Sequence, residues 1–217
     1  MIRVIAVALA VFIPLPAQSC KLALMLGIDV SHSIDNGEYA FQVGGLAEAL
    51  SDPVVAAAMV ELQVALAVTQ WSGDGEQDIS IPWTRIITSQ QLKAFQARVR
   101  SLRRPWTKSN TAVGQAISTM VEQFSDVPDC ARRVIDFSGD GINNAGVLPV
   151  GPRGMAMRQN ITINGLAIDR VGRSVTEYFK RHVITGRGSF VITATGYRDY
   201  PRAIRAKLFQ ELLPPSS

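Results

Sequence analysis

Apolar runs of strand length alternate with amphipathic segments of helix length, and this alternation limits the fold more than any other feature of the sequence. Several apolar runs are hydrophobic nearly throughout, as strands buried on both faces of a parallel sheet must be. The pattern predicts these strands: Leu22–Ile28, Gln63–Trp71, Gln77–Trp83, Arg133–Phe137, Thr162–Ile168 and Ser189–Ile192. It predicts these helices: Asn36–Leu50, Ser89–Leu102, Thr111–Phe124, Pro152–Asn160, Ser174–Val183 and Pro201–Leu212.

One short turn interrupts the alternation. The stretch SGDGEQ, Ser72–Gln77, joins two strands directly and predicts a hairpin. The other connections have the βαβ pattern, which predicts an α/β domain with a mostly parallel sheet and helices on both faces. A chain of 217 residues is long enough for one such domain. We expect it to cover residues 20–213, with residues 214–217 as a tail.

The first 19 residues have the pattern of a signal peptide. Arg3 precedes an apolar run from Val4 to Leu15, and Ala17 and Ser19 are the small residues that a signal peptidase requires. A run of about 12 residues is too short to span a bilayer, which needs about 20, and no later run is long enough. The sequence therefore predicts a bacterial protein that is exported to the periplasm or secreted, with no transmembrane segment in the mature chain. An uncleaved N-terminal anchor is the alternative.

The two cysteines, Cys20 and Cys130, each stand just before a predicted strand. If those strands are parallel neighbours, both cysteines lie at the same edge of the sheet, and an oxidising compartment permits a disulfide between them. Lipid attachment to Cys20 is the alternative, although a lipoprotein signal prefers Leu where this chain has Ala17.

Composition excludes a disordered chain, because 47% of the residues are hydrophobic and only 18% are charged. The net charge of +4 is modest and scattered, so no nucleic-acid partner is expected. The densest basic group follows a predicted helix, where a solvated helix end explains it. Its members are Lys93, Arg98, Arg100, Arg103, Arg104 and Lys108.

Polar side chains gather at the ends of the predicted strands. The first strand ends in Asp29, followed by Ser31 and Ser33, and the fourth ends in SGDGINN, residues 138–144. The loop before the third helix carries KSNT, residues 108–111. Ligands of open α/β sheets bind at the carboxyl ends of the strands, so we expect these loops to converge. Two carboxylates with three hydroxyls suit Mg²⁺, with Mn²⁺ or Ca²⁺ as alternatives, and make a poor zinc site.

Three segments resemble the von Willebrand factor A-type (vWA) domains. The stretch DVSHS resembles the DxSxS signature that opens their metal-ion-dependent adhesion site (MIDAS), SNTAVGQAI resembles the second segment, and RRVIDFSGDGINN resembles the third. With QWSG, PWTRI and ITINGLAI, the sequence more closely resembles the DUF1194 proteins, an uncharacterised bacterial family of that superfamily. The resemblance covers residues 20–213. It implies a three-layer αβα, Rossmann-like fold whose six-stranded sheet has the order 3-2-1-4-5-6 and one antiparallel edge strand.

The resemblance also implies a function and a set of metal ligands. It predicts a divalent-cation-dependent binding module, not an enzyme, whose protein partner offers an acidic residue to the metal. The implied metal ligands are Asp29, Ser31, Ser33, Thr111 and Asp140. The surface predicted to face the partner comprises His32, Trp106, Asn110, Gly141, Asn143 and Asn144. Gly139 departs from the family pattern, because a hydroxyl residue usually precedes the aspartate.

Two other interpretations stay open at this point. The stretches LMLGIDVSHS and GDGINN also resemble motifs of haloacid-dehalogenase-like phosphatases, which would make Asp29 a nucleophile. In that case Ser31 stands where the general acid is needed and Asn144 replaces the final aspartate, so two carboxylates are missing. A scaffold that keeps the fold without using a metal is the third interpretation. Asp136, inside an apolar strand, is either a paired buried group or a residue that orients the metal loop.

Overall fold

The computed structural model describes residues 20–213, so the predicted signal peptide and tail lie outside the described residues. The strands are β1 Leu22–Asp29, β2 Ala65–Trp71, β3 Gln77–Arg85, β4 Arg132–Gly139, β5 Ile161–Ile168 and β6 Val191–Ala194. The helices are α1 Asn36–Ala49, α2 Pro53–Glu61, α3 Ser89–Arg100, α4 Val113–Glu122, α5 Val150–Arg158, α6 Ser174–His182 and α7 Tyr200–Leu212. Two short 3₁₀ turns cover Gln123–Asp126 and Tyr197–Asp199.

The strands form one sheet in the order β3-β2-β1-β4-β5-β6, and only the β2–β3 pair is antiparallel. The predicted sheet order and its antiparallel edge strand are therefore confirmed. Successive residues of a strand point to opposite faces, so β1 sends Leu24 into one core and Met25 into the other. Helices α1, α2, α3 and α7 cover the first face, and α4, α5 and α6 cover the second.

Helix α2 is the one α-helix among the described residues that the sequence pattern does not predict. It begins at Pro53 after Asp52, whose side chain accepts hydrogen bonds from the backbone N–H groups of Val54 and Val55. The segment is apolar around most of its circumference, yet only Val55 and Met59 are buried. Its hydrophobic periodicity is therefore weak, and the N-terminal Asp-Pro pair is its only clear helix signal.

The disulfide between Cys20 and Cys130 is present. Leu22 of β1 lies beside Arg132 of β4, so the two parallel strands begin at the same edge of the sheet, as the position of the cysteines predicts. Both cysteines are buried. While this bond is intact, the sulfur of Cys20 is not available for lipid attachment.

Asp136 belongs to a buried ion cluster, so its structural interpretation is confirmed. The ammonium group of Lys207 lies 2.9 Å from Asp136 Oδ1 and 2.5 Å from Glu211 Oε1, and all three residues are buried. Asn164 donates a hydrogen bond to the same oxygen of Glu211. Burial raises the pKa of Asp136 to about 7, although the Lys207 charge opposes this shift. The cluster joins α7 to β4 and β5 at the first face of the sheet.

No single helix among residues 20–213 has both the length and the apolar character needed to cross a membrane. Helices α1 and α2 meet that criterion only as a pair, which is bent by 66°.

Candidate metal centre

The β1–α1 loop is folded tightly around its own backbone. The backbone N–H of Ser31 donates to Asp29 Oδ1 at 2.8 Å, which turns the chain directly after the strand. Asp35 and Glu38 form a capping box at the start of α1, so the helix begins at a fixed residue. Gln42 donates from its side-chain amide to the carbonyl of Asp29 at 3.0 Å. These bonds hold both serines at the carboxyl end of the sheet.

The carboxylate of Asp140, the residue directly after the neighbouring strand β4, meets this loop. Ser33 donates its hydroxyl to Asp140 Oδ1 at 2.6 Å, and the hydroxyl oxygens of Ser31 and Ser33 are 3.4 Å apart. The negative charge of Asp140 is close enough to raise the pKa of Asp29. The side chains of four of the five predicted ligands therefore lie together.

The fifth predicted ligand, Thr111, is held against the loop that follows Asp140. The backbone N–H of Thr111 donates to Asn144 Oδ1 at 2.8 Å, and Asn144 returns a backbone bond to the Thr111 carbonyl at 2.9 Å. The backbone N–H of Gly114 donates to Asn143 Oδ1. A Cβ atom at Gly141 would lie 3.4 Å from Thr111 Oγ1, so the hydroxyl stands directly beside the residue after Asp140.

Asp29 provides the test of whether these residues fit a cation. It is fully buried, and its Oδ2 has no hydrogen-bond partner in the part of the chain that the structure describes. Burial raises the pKa of Asp29 to about 7, and the charge of Asp140 adds to the shift. A buried carboxylate oxygen without a partner is costly unless a positive charge balances it. The donor set therefore fits a bound cation.

The chemistry of the donors indicates which cations suit the site. Within residues 20–213, no group of three or more His, Cys, Asp or Glu side chains is placed to hold a metal ion. A cation here would depend on two carboxylates and on hydroxyl oxygens. Hard oxygen ligands of this kind favour Mg²⁺, Mn²⁺ or Ca²⁺ over zinc.

Gly139 leaves room for the carboxylate of Asp29. A Cβ atom at this position would lie 2.9 Å from Asp29 Oδ2 and 3.1 Å from Cζ2 of Trp71, whose ring is stacked on Phe137. The departure from the family pattern thus has a local steric reason, since the Trp71 ring and Asp29 occupy the space that a side chain would need.

Gly139→Ala is expected to displace Asp29 and to weaken Mg²⁺ binding by about tenfold, with a stability loss of about 1–3 kcal/mol from overpacking. Calorimetric Mg²⁺ titration and urea unfolding measure the two effects. Gly151→Ala is the matched control, because a Cβ atom there meets no other atom within 4 Å. Unchanged Mg²⁺ affinity in Gly139→Ala would contradict this role.

The residues predicted to face a partner are found in different environments. His32 and Asn110 are exposed, and the His32 ring lies beside the carbonyl of Thr107. Trp106 is half-buried and packs on the first core. The side-chain oxygens of Asn143 and Asn144 accept the bonds that hold the α4 segment, so these residues shape the loop.

Two arginines that the sequence pattern does not indicate contact the site. Arg170 donates from Nη2 to the carbonyl of Ser33 and to the carboxylates of Glu38 and Asp140. Arg104, expected at a solvated helix end, instead donates to the carbonyls of Val30 and Ser31. Arg170 follows directly after β5, so the rule that selects loops at strand ends could have found it. Arg104 gives no comparable signal.

The family model described as "Protein of unknown function (DUF1194)" matches residues 19–216. The chain belongs to the DUF1194 family. No curated protein matches the sequence.

Solved structures show which fold this DUF1194 chain has. Proximal thread matrix protein 1 from the mussel byssus is 16% identical with a TM-score of 0.68, and the match covers 88% of this chain and 47% of that one. A second structure of that protein is described as having a zinc-occupied MIDAS motif. The von Willebrand factor type A protein from Catenulispora acidiphila is 15% identical with a TM-score of 0.65, and the match covers 89% of this chain and 43% of that one. The pilus adhesin SpaC from Lactobacillus rhamnosus GG is 12% identical with a TM-score of 0.65, covering 88% and 30%.

The DUF1194 chain therefore has the vWA fold. It spans about half the length of the mussel protein and less of the other two.

Proposed function

We propose that this chain is a divalent-cation-dependent protein-binding module of the MIDAS type that acts outside the cytoplasm. The observation that carries the proposal is the fully buried Asp29 Oδ2, which has no partner among residues 20–213. It stands where a second carboxylate and the serine hydroxyls converge.

Each predicted ligand has a distinct task in this proposal. Asp29 supplies the one buried oxygen that a cation would satisfy, while Ser31, Ser33 and Thr111 supply neutral oxygens. Asp140 accepts a hydrogen bond from the Ser33 hydroxyl, which turns the lone pairs of that hydroxyl away from the carboxylate and toward the site. When bound, Mg²⁺ would supply a positive charge that attracts an acidic group of the partner.

The geometry favours binding over the phosphatase chemistry that two of the motifs suggest. A nucleophilic aspartate must reach phosphorus, but the Asp29 side chain is fully buried. Ser31 lies in the general-acid place, and its hydroxyl cannot supply a proton at neutral pH as a carboxyl group does.

The loop after Asp140 offers a surface for a protein. Four apolar side chains are exposed within nine residues, although the bonds of Asn143 and Asn144 hold the loop in place. They are Ile142, Val147, Leu148 and Val150. Exposed apolar groups on an ordered loop beside a charged site are typical of interaction surfaces.

A location outside the cytoplasm is supported by the disulfide and by the pattern of the first 19 residues. Two proteins of the same fold have names that point to extracellular structures, a byssal thread matrix and a pilus.

Selection of a phage-displayed library of random peptides on the mature protein loaded with Mg²⁺ tests the proposal. We expect peptides eluted by EDTA to be enriched in Asp or Glu beside apolar residues. Leu148→Ser should lower the affinity for the selected peptides by about tenfold, because one apolar contact is lost. It should not change the Mg²⁺ affinity. Met157→Ser, which changes an exposed residue near the end of α5, is the matched control. Selected peptides that stay bound in the presence of EDTA would contradict the proposal.

A further inference from the structure

Arg170 joins the loops that form the candidate metal centre. Its Nη2 atom lies 3.0 Å from Asp140 Oδ2 and 3.0 Å from Glu38 Oε2, and it donates to the carbonyl of Ser33 at 2.5 Å. The guanidinium carbon lies 5.4 Å from the centre of the Tyr197 ring. One side chain thus contacts the β1–α1 loop, the β4–α5 loop and the start of the final helical segment.

The backbone that carries Arg170 is firmly anchored. The neighbouring Asp169 is buried and accepts hydrogen bonds from the backbone N–H groups of Val175 and Thr176 at the start of α6. It also accepts the hydroxyl of Thr176, and its own N–H donates to the carbonyl of Ala194 at the end of β6. Arg170 therefore approaches the site from a fixed point, not from a free loop.

We propose that Arg170 is a built-in counter-ion of the site, which balances Asp140 in the cation-free chain and thereby lowers the affinity for divalent cations. This inference rests on the proposed function, because it concerns the same site. Arg170 sets how much free cation is needed to occupy that site.

The charges around the site support this role for Arg170. Asp29, Asp140 and Glu38 bring three carboxylates to this end of the sheet, and Arg170 is paired with two of them. A divalent cation beside Asp140 would stand close to the guanidinium, and like charges at such a distance repel. Since the Arg170 side chain is 48% exposed, water and salt weaken this repulsion without removing it.

Calorimetric titration of the mature protein with Mg²⁺ alone tests the proposal. Arg170→Gln should bind Mg²⁺ about three- to tenfold more tightly than the wild type, an effect discounted for solvent screening. Its cation-free form should melt at a lower temperature, because Asp140 loses its positively charged partner. Arg170→Met, which keeps a long apolar side chain without the charge, is a second neutral variant in case the first does not fold.

Two control variants separate the effect of the Arg170 charge from the general effects of substitution. Arg173→Gln removes the same charge from the same loop, next to Glu177 of α6, and should change affinity less than about twofold. Arg170→Lys keeps the charge and should bind Mg²⁺ as weakly as the wild type.

The possible outcomes of these titrations separate the role of Arg170 from the proposed function. Weaker or unchanged Mg²⁺ binding in both neutral variants, with normal binding by the wild type, would overturn the role of Arg170 and leave the proposed function standing. Mg²⁺ binding by Arg170→Gln but not by the wild type would support the role of Arg170 as a counter-ion. It would contradict the proposed function of the natural chain. Absence of binding in all variants would overturn both.

Discussion

Asp29→Asn is expected to abolish divalent-cation binding and, in the presence of EDTA, to raise the free energy of unfolding by about 1–4 kcal/mol. Both effects have one cause. Oδ2 of Asp29 is buried without a partner in the described structure, so its charge is favourable only when a cation balances it. The neutral amide has nearly the same shape and removes that charge. Calorimetry with Mg²⁺ and urea unfolding in EDTA measure the two effects.

Asp169→Asn is the matched control, because Asp169 is also a buried aspartate at the end of a strand. Its carboxylate accepts three hydrogen bonds at the start of α6, whereas Oδ2 of Asp29 accepts none from the described residues. The control should lose stability in EDTA. Stability is the property compared, because Asp169 also anchors the segment that carries Arg170. If Asp29→Asn were destabilised in EDTA like the control, the interpretation of Asp29 as a cation ligand would be wrong.

Lys207→Met is expected to lower the free energy of unfolding by about 3–5 kcal/mol, the cost of leaving buried charges without a partner. Methionine retains the apolar stem but leaves Asp136 and Glu211 in the core without the ammonium group that they share. Lys180→Met is the control, because Lys180 pairs with Glu177 at the exposed surface and should change the free energy of unfolding little. Urea unfolding at pH 7.5 measures both.

A third variant identifies the cause of that loss. Lys207→Met combined with Asp136→Leu and Glu211→Met removes all three charges, and we expect it to recover much of the lost stability, since apolar replacement of a whole buried cluster is often neutral. A triple variant as unstable as Lys207→Met would show that the cluster acts through packing or through Asn164, not through charge balance.

Most of the sheet could be predicted from the sequence, because strands buried on both faces are apolar throughout and stand out from amphipathic helices. The strand order came from family resemblance, since periodicity alone does not say which strands are neighbours. Helix α2 escaped prediction because only two of its residues are buried, which leaves little periodicity to detect.

The site could be predicted in part. The rule that ligands bind at strand ends selected the loops that carry Asp29, Ser33 and Asp140, and the structure brings these side chains together. Arg170 could not be assigned a role, because its contacts with Glu38 and Asp140 depend on how three loops meet. The steric role of Gly139 likewise depends on the Trp71 ring from another strand.

The most direct test of the cation site is a crystal structure of the mature protein grown with Mn²⁺, with an anomalous difference map collected at the manganese edge. We expect a peak within bonding distance of Asp29 Oδ2, beside Ser31, Ser33 and Asp140, and no such peak in Asp29→Asn. Saturating Mn²⁺ with no peak at these residues, or with the only peak elsewhere, would contradict it.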